Sequence, residues 1–394
     1  MLMMEENKNK NYDDFDMIKR EGENTTEGLF SPFTFIFFVV LITLCGLVML
    51  YSATFDISVR NGYVHYHYLL NQLYGIGFGI VLGFIFKIVP IKTLKKSYLV
   101  LCPFTLLVLA LMLFPSFNQN GVFAIKGIPL VSGPLLGAVA VVFLLSGAVP
   151  AIRDNKKEMP GVFFTLVFLT ALAISVLSGL TGGMGYYFLI VIVSIIMLHA
   201  TGARYSYILI SALFAIATGL FMIFVNPELF ESFSKSIMPV ANPEMYDHEL
   251  FASQLAIKDG GVIGNGIGQG LYKLGILSDV GGKFIFASIA EEIGVFGILF
   301  FYIAFLCFFF LGIMASRRAY KKHDSSLSGT ALGLSSMVFV QSIINGLYCT
   351  GIFPFGNVDF PFFSYGPCSA SLNMAICFVL YRIIFMMGRG NEKR

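Results

Sequence analysis

The chain has 394 residues, of which 57% are hydrophobic and only 12% are charged, and its formal net charge is +3. Soluble domains carry about 25% charged residues, so this composition excludes an ordinary soluble protein. The small net charge says little about partners, and nothing in the sequence points to nucleic acid. Apolar stretches of about twenty residues recur along most of the chain, each long enough to cross a bilayer core of about 30 Å. Because they lack the period-two alternation of barrel strands, they predict an all-α, polytopic integral membrane protein.

Residues 1–31 precede the first apolar stretch and are polar, with eight acidic residues against four basic ones. A signal peptide begins with a basic patch and a short apolar segment, so this segment is not one. The composition predicts a disordered cytoplasmic tail, followed by a single transmembrane domain over 32–390. Ten spans are predicted in that domain, at residues 32–53, 69–89, 97–115, 133–152, 161–179, 185–200, 206–225, 284–315, 328–350 and 366–388.

Basic residues are distributed unevenly between the two ends of the predicted spans. With the amino terminus inside, all but six of the 26 lysines and arginines lie on cytoplasmic turns, tails or boundaries. This asymmetry agrees with the positive-inside rule and predicts that both termini are cytoplasmic. It also makes residues 226–283, between spans 7 and 8, a large extracytoplasmic loop. The six outward basic residues are Arg60, Lys126, Lys235, Lys258, Lys273 and Lys283.

The loop over 226–283 is long, and structureless loops of this length are uncommon unless they have a function. Two Asn-Pro turns interrupt it, and the segment ELFASQLAI is helical in character. The following cluster GGVIGNGIGQG lacks the Gly-Lys-Ser/Thr ending and the preceding strand of a P-loop, which argues against a nucleotide site. Its backbone amides could instead approach a pyrophosphate group.

Two adjacent glutamates, Glu291 and Glu292, stand two to three turns into the eighth apolar stretch. A carboxylate at the centre of a bilayer costs about 2.5–3.5 kcal/mol on the insertion scale. Because neighbouring helix positions point about 100° apart, one face cannot easily hide both side chains. We therefore expect them in a polar cavity or at the outer membrane boundary, and either place favours a functional role.

The segment FPFFSYGPCSASLN, residues 360–373, opens the last span from the outer side. Ser364 could cap that helix, whose first-turn amides would then form an end that attracts anions. A capped helix start without further function explains the same residues.

Small residues and cysteines in the spans are interpreted as packing residues. Glycines recur at four-residue spacing in spans 2 and 9, which lets helix backbones approach closely. The six cysteines lie in or beside apolar stretches without CxxC spacing, so we expect them in the core. His65 and His67 share a loop with no third ligand near in sequence, and no metal site is predicted.

Four motifs occur in one order along nearly the whole chain. MLYSAT lies at 49–54, Asn-Gly at 120–121, a segment ending in FIFASIAEEIG at 254–294, and GIFPFGNVDFPFFSYG at 351–366. In this combination the sequence resembles the SEDS family (shape, elongation, division and sporulation), which includes FtsW, RodA and SpoVE. The resemblance implies the same arrangement of ten spans with a large outer loop before span 8.

The resemblance also implies a function in peptidoglycan assembly, in cell division or cell-shape maintenance, at the bacterial cytoplasmic membrane. Active family members polymerise lipid II, a disaccharide-peptide on a polyprenyl pyrophosphate, with a class B penicillin-binding protein as partner transpeptidase. The attacking sugar hydroxyl needs a base, and the leaving pyrophosphate needs positive charge or a divalent cation. In the family that base is an aspartate directly before Phe-Ile-Phe, and here the position is Lys283. The resemblance predicts a site lined by Gln254, Lys283, Glu291, Ser364, Tyr365 and Gly366.

The lysine leaves two interpretations open. Either the chain is a non-catalytic scaffold or regulator that keeps the fold and the partner contacts, or the base has moved to Asp279 or Asp359. Moving an acid between loops while keeping catalytic geometry is demanding. A third interpretation is transport of a lipid-linked precursor, but the absence of a convincing repeat in the sequence and the outward clustering of polar groups disfavour it.

Overall fold

The computed structural model describes residues 31–154, 160–200, 205–237 and 248–388. The predicted disordered tail lies outside the described residues except for Ser31. Each of the ten predicted spans corresponds to one apolar helix, and eight of these helices have the length and composition to cross a membrane. The other two are shorter apolar helices. The prediction of a polytopic helical membrane protein is confirmed, and the individual spans are correct to within a few residues at most ends.

The bundle and its connections are built from thirteen α-helices in the described ranges. The ten apolar helices are α1 (Pro32–Arg60), α2 (His67–Ile88), α4 (Tyr98–Leu111), α5 (Gly133–Asp154), α6 (Pro160–Gly182), α7 (Met184–Ala200), α8 (Tyr205–Val225), α11 (Ile285–Lys321), α12 (Ser325–Cys349) and α13 (Pro367–Gly388). The three connecting helices are α3 (Ile91–Lys96), α9 (Pro227–Ile237) and α10 (His248–Gly260).

The glycine stripe of α2 packs directly on α13, as the four-residue spacing predicts. A Cβ atom at Gly75 would overlap the carbonyl oxygen of Pro367, so only glycine allows this approach. The Ser371 hydroxyl donates to the Gly75 carbonyl oxygen at 2.7 Å. Because small residues let two backbones meet, α2 fixes the first turn of α13 and the segment that leads into it.

The all-α prediction missed a small antiparallel sheet between α4 and α5. Its strands are β1 (Asn118–Gln119), β2 (Val122–Ile125) and β3 (Ile128–Ser132), in the order β1-β2-β3. Both connections are two-residue turns with positive φ at each position: 51° and 81° at Asn120 and Gly121, and 52° and 82° at Lys126 and Gly127. Such turns match the twist of paired strands, which explains why Asn-Gly forms a hairpin here.

Helix α11 is broken at Gly294, where φ is 66° and ψ is −170°. The glycine-rich segment 260–266 fits into this break. Its Asn265 and Gly266 amides donate to the carbonyl oxygens of Glu291 and Glu292 at 3.0 and 2.9 Å, and the Val295 and Phe296 amides donate back to the carbonyls of 261 and 262. The glycines are needed because a Cβ atom at either side would collide with the opposite backbone.

The break also explains how both adjacent glutamates are buried. Glu291 and Glu292 are 0% and 1% exposed, although they point in different directions from the helix. Glu292 pairs with Lys273 at 2.7 Å and accepts a hydrogen bond from the Ser52 hydroxyl at 2.7 Å. The segment that precedes α11 folds over its first part and supplies the partners that a lipid-facing helix would lack.

Candidate functional site

Two segments that are predicted to face outward, 278–284 and 351–366, are joined by hydrogen bonds and form the candidate site. The Tyr365 amide donates to the Gly281 carbonyl oxygen at 2.7 Å, and the Ser364 hydroxyl donates to the Gly282 carbonyl oxygen at 2.9 Å. The Asn345 amide group of α12 bridges the two segments, donating to the Lys283 and Val358 carbonyl oxygens at 3.1 and 2.8 Å. These contacts place three of the predicted site residues side by side.

Gln72 of α2 holds the second of these segments, and it was missed in the sequence. Its side-chain amide donates to the Ser364 carbonyl oxygen and accepts from the Gly366 amide, both at 3.0 Å. Gln72 is fully buried, and neighbouring Asn71 donates to the Tyr365 hydroxyl at 3.3 Å. An Asn-Gln pair at the start of an apolar span is the signal that could have found them, because buried amides require partners.

Lys283 forms an ion pair with a residue that the sequence did not single out. Its Nζ atom lies 3.1 Å from Oε2 of Glu249 on α10, and the lysine and glutamate side chains are 26% and 32% exposed. The Ser278 hydroxyl donates to the other carboxylate oxygen. Burial alone would raise the pKa of Glu249, but the hydrogen bonds from Ser278 and Lys283 and the lysine charge outweigh it and lower the pKa.

Asp279 lies on the other side of the lysine. Its carboxylate accepts the Lys283 backbone amide at 3.1 Å, and the residue is exposed to solvent. Local desolvation by surrounding protein atoms raises the pKa of Asp279, against the lowering effects of the Lys283 amide and charge, while Glu249 raises it further. A carboxylate with a raised pKa at an accessible position is suited to accept a proton.

Asp359 reaches the same region from the loop between α12 and α13. It is partly buried, and the Tyr186 hydroxyl donates to its carboxylate at 3.2 Å. The pKa of Asp359 is raised to about 6, mainly by burial. The negative charge of Asp279 adds to this shift, and the hydrogen bonds from Ser369 and Tyr186 oppose it. A Cβ atom at Gly366 would lie 3.8 Å from Oδ2 of Asp359, so this carboxylate borders one of the predicted site residues.

The other two predicted site residues lie elsewhere. Glu291 accepts hydrogen bonds from the Leu271 and Tyr272 amides, the latter at 3.2 Å, and so caps a short 3-10 turn at Tyr272–Leu274. Gln254 on α10 is partly buried, and its amide nitrogen lies against Gly351, where the second outward segment begins. The contacts described above therefore join Lys283, Ser364, Tyr365 and Gly366, while Glu291 and Gln254 flank them.

A divalent cation was left open by the chemistry of a leaving pyrophosphate. Within the described ranges, no three His, Cys, Asp or Glu side chains come together as a metal site. The ammonium group of Lys283 stands beside the carboxylates of Glu249 and Asp279, so the residues present fit a built-in cation better than a bound metal. All six cysteines are free thiols. Three of them are buried in the core as predicted, whereas Cys45, Cys307 and Cys368 are only partly buried.

The chain matches the family described as FTSW_RODA_SPOVE, cell cycle protein, over residues 33–387. The chain belongs to this family. It is 28% identical over 390 residues to the probable peptidoglycan glycosyltransferase FtsW of Bacillus subtilis (strain 168), covering 92% of this chain and 93% of that protein. It is 26% identical over 348 residues to the protein of the same name from Coxiella burnetii (strain RSA 493 / Nine Mile phase I), covering 86% and 92%.

Two solved structures share the fold of this FTSW_RODA_SPOVE member. One belongs to a peptidoglycan synthase complex and is described in terms of the structural coordination of polymerization and crosslinking. It has a TM-score of 0.69 and 19% identity, and the match covers 90% of this chain and 98% of that one. The other is the rod shape determining protein RodA of Thermus thermophilus, with a TM-score of 0.61 and 19% identity, covering 89% and 96%. The predicted family and the helical membrane fold are thereby confirmed.

Proposed function

We propose that this family member assembles peptidoglycan by polymerising lipid II, with Asp279 as the general base. The observation that carries the proposal is the meeting of Asp279, Lys283 and the 351–366 segment at one outward position. A carboxylate that can accept a proton and an ammonium that can meet a phosphate stand next to each other on one short segment. The names of the Bacillus and Coxiella relatives support the reaction class.

The proposed reaction is a displacement at the anomeric carbon of one lipid-linked sugar. The hydroxyl oxygen of a second sugar forms the new bond to this carbon. The bond to the pyrophosphate oxygen breaks, and its electron pair leaves with the polyprenyl pyrophosphate. Asp279 takes the hydroxyl proton and later passes it to water, while Lys283 stabilises the charge on the leaving group. Asp359 is the second candidate base, since its pKa of about 6 is also raised.

The proposed setting is the bacterial cytoplasmic membrane, with both termini in the cytoplasm and the site on the outer side. The positive-inside asymmetry supports this orientation. The proposed partner is a class B penicillin-binding protein, because the new glycan strands must be crosslinked and a related fold occurs in a synthase complex that couples the two reactions.

A specific observation favours the alternative of a non-catalytic scaffold. The family's aspartate position is Lys283, and this side chain is engaged by Glu249. A scaffold would need the fold and the partner contacts but no base.

The test is polymer formation from lipid II by the purified protein with its partner. The variants are Asp279→Ala, Asp359→Ala and Lys283→Asp, with Asp259→Asn on α10 as a control for lost negative charge. We expect the native protein to form polymer and Asp279→Ala to slow it about 100-fold or more. Loss only in Asp359→Ala would move the base to that residue.

Polymer from Lys283→Asp alone would contradict the proposal and identify the native chain as a scaffold. Exposure of lipid headgroups across liposomes, without polymer or partner binding, would identify a transporter instead.

A further inference from the structure

The Glu249–Lys283 ion pair raises a question that the proposed reaction does not answer. A carboxylate held 3.1 Å from the Lys283 ammonium offsets much of the positive charge that a leaving pyrophosphate requires. Charge at the site is also unfavourable for an anion, because the carboxylates of Glu249 and Asp279 lie on either side of the Lys283 ammonium group. A pyrophosphate group would meet the full lysine charge only if the lysine exchanged partners.

The geometry of the pair permits such an exchange. Both side chains are about a quarter to a third exposed, and their charged atoms are 3.1 Å apart. Ion pairs with this exposure contribute only about 0–1 kcal/mol to stability. The Glu249 carboxylate would not be stranded, because the Ser278 hydroxyl also donates to it and the group is partly hydrated. Opening the pair therefore leaves neither charge buried and unpaired.

The backbone around Lys283 is held much more firmly than its side chain. The Lys283 carbonyl oxygen accepts from Asn345 at 3.1 Å, and its amide donates to Asp279 at 3.1 Å. Only the long side chain is free to swing between partners. The Phe284 ring, 4.9 Å from Nζ, gives the ammonium a second contact that does not depend on Glu249.

We infer that Glu249 is the resting counter-ion of Lys283, and that a pyrophosphate group displaces it to bind the lysine. This inference rests on the proposed function for the source of the ligand, but the binding step does not require polymerisation. A pyrophosphate carries more than one negative charge and offers several acceptor oxygens to one ammonium group, so it competes well with a single carboxylate. Glu249 is a positioning residue that sets the affinity for the anion.

The experiment measures binding of inorganic pyrophosphate and of farnesyl pyrophosphate to the full-length protein in detergent, by titration calorimetry. We expect Glu249→Gln to tighten binding about tenfold, because it frees the lysine and removes one nearby negative charge. We expect Lys283→Met to abolish measurable binding. A response to both ligands identifies the pyrophosphate group as the recognised part, and a response to farnesyl pyrophosphate alone identifies the lipid-linked form.

The double variant Lys283→Met/Glu249→Gln separates partner exchange from general electrostatics. The double variant removes both charges of the pair, so neither Glu249 nor Lys283 is left without its partner in the folded protein. If Glu249 acts only through Lys283, the double variant binds as weakly as Lys283→Met. Asp259→Asn on the same helix is the matched control and should leave binding within about twofold of the native value.

The inference would be overturned if Glu249→Gln tightened pyrophosphate binding equally in the native protein and in Lys283→Met. It would also be overturned if Glu249→Gln alone left pyrophosphate binding unchanged. The outcome is independent of the base assignment. Asp279→Ala is expected to lose polymerisation while keeping the effect of Glu249 on pyrophosphate binding.

Discussion

Two lysine–glutamate pairs, whose lysines lie ten residues apart before α11, differ in burial. In the pair Lys273–Glu292 the charged atoms are 2.7 Å apart, and the side chains are 3% and 0% exposed. In the pair Lys283–Glu249 they are 3.1 Å apart, with side chains 26% and 32% exposed. The first pair also has the Ser52 hydroxyl and carbonyl oxygen as partners. We interpret the first as a structural anchor that ties the loop to α1 and α11, and the second as a contact that can open.

The comparison has a physical basis in desolvation. A buried charge that loses its partner has no water to replace it, whereas a partly exposed charge does. The same residue types therefore serve opposite purposes in one region of the protein, and burial decides which.

The largest expected effect comes from breaking the buried pair. Lys273→Met leaves Glu292 as an unpaired buried charge, so we expect a loss of about 3–5 kcal/mol in the free energy of unfolding. Titration of SDS into mixed micelles measures this loss. The double variant Lys273→Met/Glu292→Gln should recover part of it, because the unpaired charge is gone. A loss below 1 kcal/mol in Lys273→Met would contradict the assignment of this pair as an anchor.

Asp359 extends the comparison to a carboxylate without a lysine partner. Its pKa is raised from an ordinary value near 3.8 to about 6, so the folded state binds a proton more tightly than the unfolded state. Stability from this group is therefore greatest below about pH 4 and falls as the pH rises through about 6, by at most about 3 kcal/mol. Unfolding at several pH values should show this slope in the native protein and a flatter one in Asp359→Asn. An unchanged slope would assign the pH dependence to other groups.

The smallest expected effect comes from the open pair. Glu249→Gln and Lys283→Met should each change the free energy of unfolding by about 1 kcal/mol or less, because water replaces the lost partner. The same micelle titration measures both variants beside Lys273→Met. A loss as large as that of Lys273→Met in either one would make the two pairs equivalent and remove the basis for partner exchange.

Much of the fold could be predicted from local sequence. Apolar length gave each of the ten helices, and glycine spacing predicted close packing of α2, although it did not identify α13 as the partner. The small sheet was missed because its strands are only two to five residues long, and the alternation signal needs longer runs. The motif at 351–366 pointed to the segment that the structure joins to 278–284.

The partners of the site residues could not be predicted in the same way. A glycine-rich segment and a short helix separate Glu249 from Lys283 in the sequence. Nothing local in the sequence indicates that the two side chains meet in the folded protein. Gln72 contacts Ser364 across nearly three hundred residues. The place of Glu291 in an apolar span predicts a site residue, whereas the structure places its carboxylate against the Leu271 and Tyr272 amides.

The sequence by itself determined that this protein is a helical membrane protein of the FTSW_RODA_SPOVE family, and that a lysine occupies a position where the resemblance predicts an acid. Those properties follow from composition, periodicity and local motifs, which act over a few turns of chain. Only the tertiary structure decided that Lys273–Glu292 is closed to water while Lys283–Glu249 is open. The fate of a charge depends on how much water and which partners surround it, and both are set by segments far apart in the chain.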